Sequence, residues 1–184
     1  PRDARARRVV LTPFGVDALL HGTRMLHHME AVMVTPHLGK RDTAALKGLL
    51  PPKENRGLVF IDPPYEKPDE FEQVARALRA AHPRWRNGLY LVWYPIKARR
   101  PVEKLHEAVR ALGAEALAVE LLMLPEDVPQ RLNGSGVILI NPPWKLEETL
   151  RALLPSLAAF LAAPDGQPQT RFVNLTGRKN PQVS

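Results

Sequence analysis

Continuous apolar runs that alternate with amphipathic segments constrain the fold of this chain more than any other feature of its sequence. The runs GLVFI, GLYLVWYPI and GVILI begin at Gly57, Gly88 and Gly136. A run that is apolar at every position is typical of a strand covered on both faces of a sheet. Residues 68–82 and 100–113, which follow the first two runs, have apolar residues at helical spacing. The pattern therefore predicts an α/β layer architecture.

Weaker patterns predict further elements on both sides of these segments. The chain has no internal repeat and no linker rich in Gly or Ser, so we expect residues 1–184 to form a single domain, and a monomer. We predict strands at residues 7–15, 30–36 and 115–125, helices at 16–29, 41–52 and 145–164, the last interrupted at Pro155, and an edge strand from Thr170.

Charge and cysteine content narrow the possible partners. The chain has 26 Lys and Arg against 19 Asp and Glu, which gives a formal net charge of +7 and a sequence pI of about 10.1. Since neutralising phosphates releases counterions, this surplus favours a polyanionic partner, although a merely soluble basic protein has the same composition. The chain has no cysteine, which excludes disulfides and thiolate metal sites and fits a reducing cytoplasm.

Membrane and metal partners are not expected. No apolar run approaches the roughly 20 residues that a membrane span requires. The Arg-rich start lacks the long apolar region of a signal peptide. The six histidines have no metal-like spacing with carboxylates, so we assign no metal. We expect a cytoplasmic protein.

The first apolar run ends in the motif DPPY at residues 62–65. At the carboxyl end of a parallel strand, this motif would face the crevice where α/β sheets bind ligands. Asp62 and the carbonyl of Pro63 could both accept hydrogen bonds from the exocyclic amine of an unstacked adenine, and Tyr65 offers a ring on which the base could stack. The fixed φ angles of Pro63 and Pro64 would hold both acceptors in place. A simple strand-ending turn remains the alternative, because Asp and Pro are common turn residues.

A second motif of the same spacing, NPPW, follows the last apolar run, and other candidates lie near these motifs. Asn141 and Trp144 are expected on the substrate side of the same pocket, with a structural corner as an equal alternative. Trp93 and Tyr94 could line the pocket or belong to the core. The cations Lys97, Arg99 and Arg100 follow the GLYLVWYPI strand, where they could contact RNA phosphates or form a solvated helix start.

Taken in order, these segments resemble a known family. The runs LLPPKENRGLVFIDPPYE, GLYLVWYPI, ELLMLPED and NGSGVILINPPWKLE are similar to the RlmJ family, which methylates N6 of one adenine in 23S ribosomal RNA with S-adenosylmethionine. The resemblance covers about residues 46–154. It implies a class I (Rossmann-like) methyltransferase fold, with a mostly parallel sheet and helices on both faces. It also implies that Asp62 is the catalytic aspartate and that Pro63, Pro64 and Tyr65 complete the motif.

The cofactor half of the family pattern is not found in the sequence. The resemblance implies a glycine-rich turn of the form D-x-x-A-G-x-G, whereas Gly15, Gly22 and Gly39 are isolated. Asp42 and Asp62 are left as cofactor-binding candidates. We expect the chain to represent the C-terminal part of the family pattern and to bind S-adenosylmethionine poorly or not at all by itself. A non-catalytic RNA-binding remnant of such an enzyme and a DNA adenine-N6 methyltransferase remain alternatives.

Overall fold

The structure is a computed structural model that describes residues 50–51, 57–126, 128, 131–162 and 167–177, together with the backbone of residues 31–35. The strand predicted at residues 7–15, the helices predicted at 16–29 and 41–52, and Asp42 lie outside the described residues. The described elements are β1 (Ala31–Thr35), β2 (Gly57–Ile61), α1 (Glu70–Ala81), a 3-10 turn (His82–Arg84), β3 (Leu89–Ile96), α2 (Arg99–Arg110), β4 (Ala116–Leu122), β5 (Gly134–Ile140), α3 (Leu146–Leu161) and β6 (Gln169–Asn174).

The described strands form one mixed sheet in the order β1-β2-β3-β5-β4-β6. Strands β1, β2 and β3 are parallel to one another, whereas β5 is antiparallel to both β3 and β4, and β6 is antiparallel to β4. The expectation of a mostly parallel sheet is therefore wrong for the described strands. The prediction failed because an apolar run indicates only that both faces of a strand are buried. It contains no information on the direction of the strand.

Helices α1 and α2 pack against one face of the sheet. Helix α1 begins after the DPPY motif, where the backbone N–H of Lys67 donates to the Glu70 side chain at 3.0 Å, and its first-turn acids complement the helix dipole. Both helices bury their apolar stripes on the sheet, and each fully buried Val or Leu contributes about 1.5–3 kcal/mol. The core on this face includes Val74, Leu78, Val102, Leu105 and Val109 from the helices and Val59, Ile61, Tyr90, Val92, Tyr94, Ile138 and Ile140 from the strands.

Helix α3 covers part of the opposite face, so helices lie on both faces of the sheet as expected. Residues Leu117 and Val119 of β4 pack with Leu154 in a second apolar cluster, while their neighbours in β4 point to the first core. Helix α3 runs continuously through Pro155, and the predicted interruption is wrong. Because Pro155 is exposed, the helical carbonyl that lacks its usual donor faces water and the ring is tolerated.

The structure confirms strands close to residues 115–125 and 170, both predicted from sequence, as β4 and the edge strand β6. None of the helices in the described part of the chain combines the length and the apolar character that crossing a bilayer requires.

Candidate active site

The DPPY corner (residues 62–65) lies where β2 ends at the carboxyl edge of the three parallel strands. Because Ile61 is paired with Val92, Asp62 lies level with Trp93 of the neighbouring strand. Asp62 is exposed and Tyr65 is buried, and the backbone of Tyr65 is left-handed, with φ of 53°. A non-glycine residue rarely adopts this conformation, so the surrounding contacts must stabilise it.

The contacts of Tyr65 supply that stabilisation. Its hydroxyl donates to the backbone carbonyl of Trp93 at 2.8 Å, and its ring centroid lies 4.7 Å from that of Phe71 and 5.9 Å from that of Trp93. Only 8% of the residue is exposed, and burial, together with the charges of Asp62 and Glu70, raises the pKa of Tyr65. In this arrangement Tyr65 packs within the corner and does not present an open ring face to a base, contrary to the stacking expected from sequence.

Asp62 has a different environment from Tyr65. Partial burial raises the pKa of its carboxyl above the ordinary value of 3.8, while the side chain stays accessible. Each of the two rings that contact Tyr65 lines a cavity: Phe71 lines one of about 600 Å³, and Trp93 lines one of about 420 Å³. Asp62 lines neither of them. The corner therefore offers an accessible acceptor on a rigid support.

The NPPW corner (residues 141–144) lies at the opposite edge of the sheet. Strand β5 runs antiparallel to β3, and its last residue, Ile140, is paired with Tyr90 near the start of β3. The expectation that Asn141 and Trp144 share a pocket with Asp62 is therefore wrong, because the reversed strand carries its carboxyl end away from that edge.

Asn141 and Trp144 have contrasting environments within the NPPW corner. The amide of Asn141 donates to the carbonyls of Arg86 at 2.7 Å and Gly88 at 2.8 Å, and its backbone is left-handed, with φ of 56°. Trp144 is 82% exposed. Asn141 thus fixes the corner, and Trp144 projects from it.

The two aromatic candidates in β3 point to opposite faces of the sheet. Tyr94 is fully buried, and its hydroxyl donates to Glu120 at 2.9 Å and lies 3.0 Å from His106 Nε2. Tyr94 is therefore a core residue, which is one of the two alternatives predicted from sequence, and it lines neither cavity. Trp93 is partly buried and lines the 420 Å³ cavity between the sheet and α3. Alternation along the strand explains this difference.

Among the three candidate RNA-binding cations, Arg99 is already paired within the protein. Its guanidinium contacts Glu120 at 2.7 Å and Glu126 at 2.8 Å, and its side chain is 21% exposed. Burial by itself lowers the pKa of Arg99, but the hydrogen bonds to Glu120 and Glu126 outweigh this effect and raise it. An RNA phosphate would have to displace two carboxylates, so the structure does not support Arg99 as a phosphate contact. Lys97 and Arg100 are exposed at the same edge as Asp62.

Sequence reasoning missed a buried polar network at this edge. Glu120 is fully buried, and it contacts Arg99, Tyr94 and, at 3.6 Å, Arg171 of β6. Burial lowers the pKa of His106 to about 4 even though the Glu120 carboxylate opposes this shift. The network fixes the first residue of α2 to β4 and β6, and so positions Lys97 and Arg100. Its only sequence signal is a glutamate within the apolar run ALAVELL.

Neither a metal site nor a glycine-rich cofactor turn is found among the described residues. Within them, no group of three or more His, Cys, Asp or Glu side chains could hold a metal ion. No glycine cluster follows a described strand at the Asp62 edge. The described residues therefore do not supply the turn that the methionine end of S-adenosylmethionine would require.

Comparisons with known proteins agree with the motif pattern. A family model described as "Ribosomal RNA large subunit methyltransferase D, RlmJ" matches residues 17–174. Ribosomal RNA large subunit methyltransferase J of Haemophilus influenzae is 38% identical over 122 residues, which is 66% of this chain and 43% of the relative. Its namesake in Escherichia coli is 38% identical over 117 residues, 63% of this chain and 42% of the relative.

A solved structure supports the fold. Protein LPL1258 from Legionella pneumophila matches with a TM-score of 0.66 and 30% identity, covering 72% of this chain and 48% of that one. The chain thus spans less than half the length of these matched proteins. Because the family model covers most of the sequence, this chain belongs to the RlmJ family of ribosomal RNA large subunit methyltransferases.

Proposed function

We propose that this chain is part of a class I methyltransferase that transfers a methyl group from S-adenosylmethionine to N6 of an adenine in 23S ribosomal RNA. The observation that carries this proposal is an accessible carboxylate, Asp62, at the carboxyl edge of the parallel strands, on a corner stiffened by two prolines. Family membership and the printed names of the relatives support the ribosomal RNA substrate. The basic surplus of the chain is compatible with it.

Asp62 has two tasks in the proposed reaction. Its carboxylate and the carbonyl of Pro63 accept hydrogen bonds from the two hydrogens of the adenine amine. Withdrawing both hydrogens toward acceptors leaves the lone pair of the nitrogen more available for bond formation. After the nitrogen gains a methyl group it is positively charged, and the Asp62 carboxylate stabilises that charge and can take the surplus proton. A prepositioned acceptor needs no reorganisation during this step.

The rest of the corner holds Asp62 and leads the RNA to it. The Tyr65 hydroxyl bond to Trp93 ties the corner to the neighbouring strand. Lys97 and Arg100 are the proposed phosphate contacts at this edge, since both are exposed and neither has an ion pair within the part of the chain that the structure describes. Arg99 positions the helix that carries Arg100.

S-adenosylmethionine, when bound, would supply an electrophilic methyl group, and the electron pair of the broken carbon–sulfur bond would stay on its sulfur, so that S-adenosylhomocysteine would leave. The chain offers Asp62 at the corner, and Asp42 stays a prediction for cofactor binding. No glycine-rich turn is found in the sequence. Among the described residues, the exposed DPPY corner is therefore the proposed contact with the cofactor.

The direct test replaces Asp62 and measures methyl transfer to adenine N6 in a protein-free 23S ribosomal RNA fragment. Asp62→Ala is expected to lower the rate about 10²- to 10³-fold, the loss typical of a preorganised group that stabilises developing charge. Asp69→Ala is the matched control, because Asp69 is an exposed carboxylate a few residues away that bonds only to Gln73 within the described residues. Equal rates above background in Asp62→Ala and the parent chain would refute the role of Asp62, whereas no product from either would favour a non-catalytic RNA-binding protein.

The missing glycine-rich turn favours one second candidate, a non-catalytic RNA-binding member of the family. Such a protein would bind the RNA fragment with the same affinity with and without S-adenosylmethionine and would form no methylated product. A DNA oligonucleotide of the same sequence serves as the substrate control, and faster methylation of the DNA would contradict the ribosomal RNA assignment.

A further inference from the structure

We propose that the NPPW corner is a second RNA-binding site, where an unpaired nucleotide stacks on Trp144 and neighbouring phosphates contact Arg86 and Lys145. This inference rests on the proposed function, since it takes ribosomal RNA to be the substrate. It adds a contact at the edge of the sheet opposite Asp62, separate from the binding of the target adenine.

The backbone of the corner is held in an unusual conformation. Asn141 and Lys145 both have positive φ, 56° and 63°, and neither is glycine. Three hydrogen bonds stabilise the left-handed backbone of Asn141. Its side-chain amide donates to the carbonyls of Arg86 and Gly88, and its backbone N–H donates to the carbonyl of Glu115 at 2.8 Å. Strained backbone that is fixed this firmly is enriched at binding sites. Here it presents Trp144 at a defined position.

Trp144 itself has the properties of a stacking platform. The residue is 82% exposed, and the ammonium of Lys145 lies 4.3 Å from the centroid of its ring. A base can stack on the ring at low conformational cost because Trp has few rotatable bonds and the corner is already fixed. The ammonium at the ring adds a positive charge where a stacked nucleotide brings its phosphate.

Further cations come to this edge from a separate part of the sequence. The bonds from Asn141 bring the segment PRWR against the corner, and its two arginines, Arg84 and Arg86, are exposed. Among the nearby acids, Glu147 is paired with Arg151 at 2.6 Å, while Glu115 and Glu148 are exposed. Three cations therefore lie on the segments that form this corner, with Lys145 at the indole itself, against two exposed carboxylates that have no ion pair within the described residues.

This combination favours RNA over a protein partner. A protein interface would need apolar residues next to Trp144, and the other exposed large apolar residues of α3 begin at Leu153. Leu153 lies seven residues beyond the first residue of the helix, about 10 Å along its axis. An exposed indole with a lysine at its ring and arginines on the adjoining segment is instead the composition of single-strand binding surfaces.

The position of the corner sets a requirement on RNA length. Asp62 lies beside Trp93 of β3, and Asn141 lies beside Leu89 at the other end of the same strand. The two corners are therefore separated by at least four residues of β3, which is about 13 Å. An RNA that reaches only from the target adenine to its neighbours cannot contact Trp144. We therefore expect the contribution of Trp144 to appear only with longer fragments.

The test is the affinity of the full chain for labelled 23S ribosomal RNA fragments of increasing length, measured by fluorescence anisotropy. Trp144→Ala is expected to weaken binding of the longer fragments about 5- to 150-fold, the range seen for loss of one stacked base, with Trp144→Phe retaining most of the affinity. Phe160→Ala is the matched control, since Phe160 is 83% exposed on α3 and away from the cations, and it should leave affinity unchanged. Arg86→Ala should lower the slope of log affinity against log salt by about 0.7.

Each outcome decides the proposal. If the parent chain binds the fragments and Trp144→Ala binds them equally well, the second site is refuted while the proposed function stands. If Phe160→Ala weakens binding as much as Trp144→Ala, the effect is general apolar adhesion and the site is again refuted. If the parent chain binds no ribosomal RNA, the proposed function and this site fail together.

Discussion

The DPPY and NPPW corners have nearly the same sequence pattern and opposite environments. Both follow a buried strand, both contain two prolines and an aromatic residue, and each has one non-glycine residue with positive φ. In the first the polar residue is exposed and the aromatic is 8% exposed, whereas in the second the polar residue is bonded to backbone and the aromatic is 82% exposed. The corners also lie at opposite edges of the sheet because β2 and β5 run in opposite directions.

The comparison shows that the motif determines the shape of the backbone, whereas the surrounding residues determine which of its side chains is exposed. A double proline after a strand makes a rigid corner in either setting. The neighbouring residues determine which side chain is exposed to solvent. Phe71 and Trp93 pack on Tyr65 and bury it, whereas Trp144 is left exposed. The same four-residue pattern can therefore present a carboxylate in one place and an indole in another.

The largest expected effect of a substitution on folding stability separates the two aromatics. Tyr65→Ala should lower the free energy of unfolding by about 3–5 kcal/mol, because it removes a buried ring and leaves a cavity. Trp144→Ala, at an exposed position, should change it by no more than about 0.5 kcal/mol. Urea unfolding of both variants measures this contrast, and equal losses would break the comparison.

A smaller effect is expected at the residue that fixes the NPPW corner. Asn141→Ala should destabilise the chain by about 2 kcal/mol, because two carbonyls lose their donor and alanine tolerates positive φ poorly. Asn141→Gly loses the same bonds without the backbone strain, so its loss should be about 1 kcal/mol smaller. An Asn141→Ala variant as stable as the parent chain would show that these bonds do not hold the corner.

The smallest expected difference lies in pH dependence. Only the ionised carboxyl of Asp62 can accept both the amine hydrogen and the proton, so the methyl-transfer rate should fall as pH drops through its pKa. Since partial burial raises that pKa above 3.8, the fall should begin at a higher pH than for an ordinary aspartate, with at most a tenfold loss per pH unit. Rates at saturating RNA from about pH 3 to about pH 8, about half a unit apart, measure this. A rate that stays constant down through pH 3.8, the ordinary value for an aspartate, would contradict the role of Asp62.

The elements of the fold could be predicted from sequence more fully than their arrangement. Apolar runs and helical spacing predicted β2, β3, β5, α1 and α2, because burial pattern is a local property of the sequence. Strand direction is not local, and the apolar run of β5 reads like that of β2 although it pairs antiparallel with β3. Pro155 likewise predicted an interruption that its exposed position on α3 makes unnecessary.

Within the candidate site, chemistry could be read from sequence and burial could not. The DPPY motif predicted a rigid corner with Asp62 as its carboxylate, and the catalytic role of Asp62 stays a proposal. The sequence did not show that Tyr65 packs inward, that Tyr94 is core, or that Arg99 is paired with two carboxylates, because each depends on residues distant in the chain. The glutamate at position 120, alone in an apolar strand, was the available signal for the buried network.

The most direct test of this account measures both methyl transfer and RNA affinity for Asp62→Ala and Trp144→Ala with a long 23S ribosomal RNA fragment. The account predicts that Asp62→Ala lowers the rate of adenine N6 methylation at saturating RNA at least about 100-fold with affinity nearly unchanged. It predicts that Trp144→Ala weakens affinity and leaves that rate nearly unchanged. An Asp62→Ala variant that methylates the RNA as fast as the parent chain would contradict the central claim.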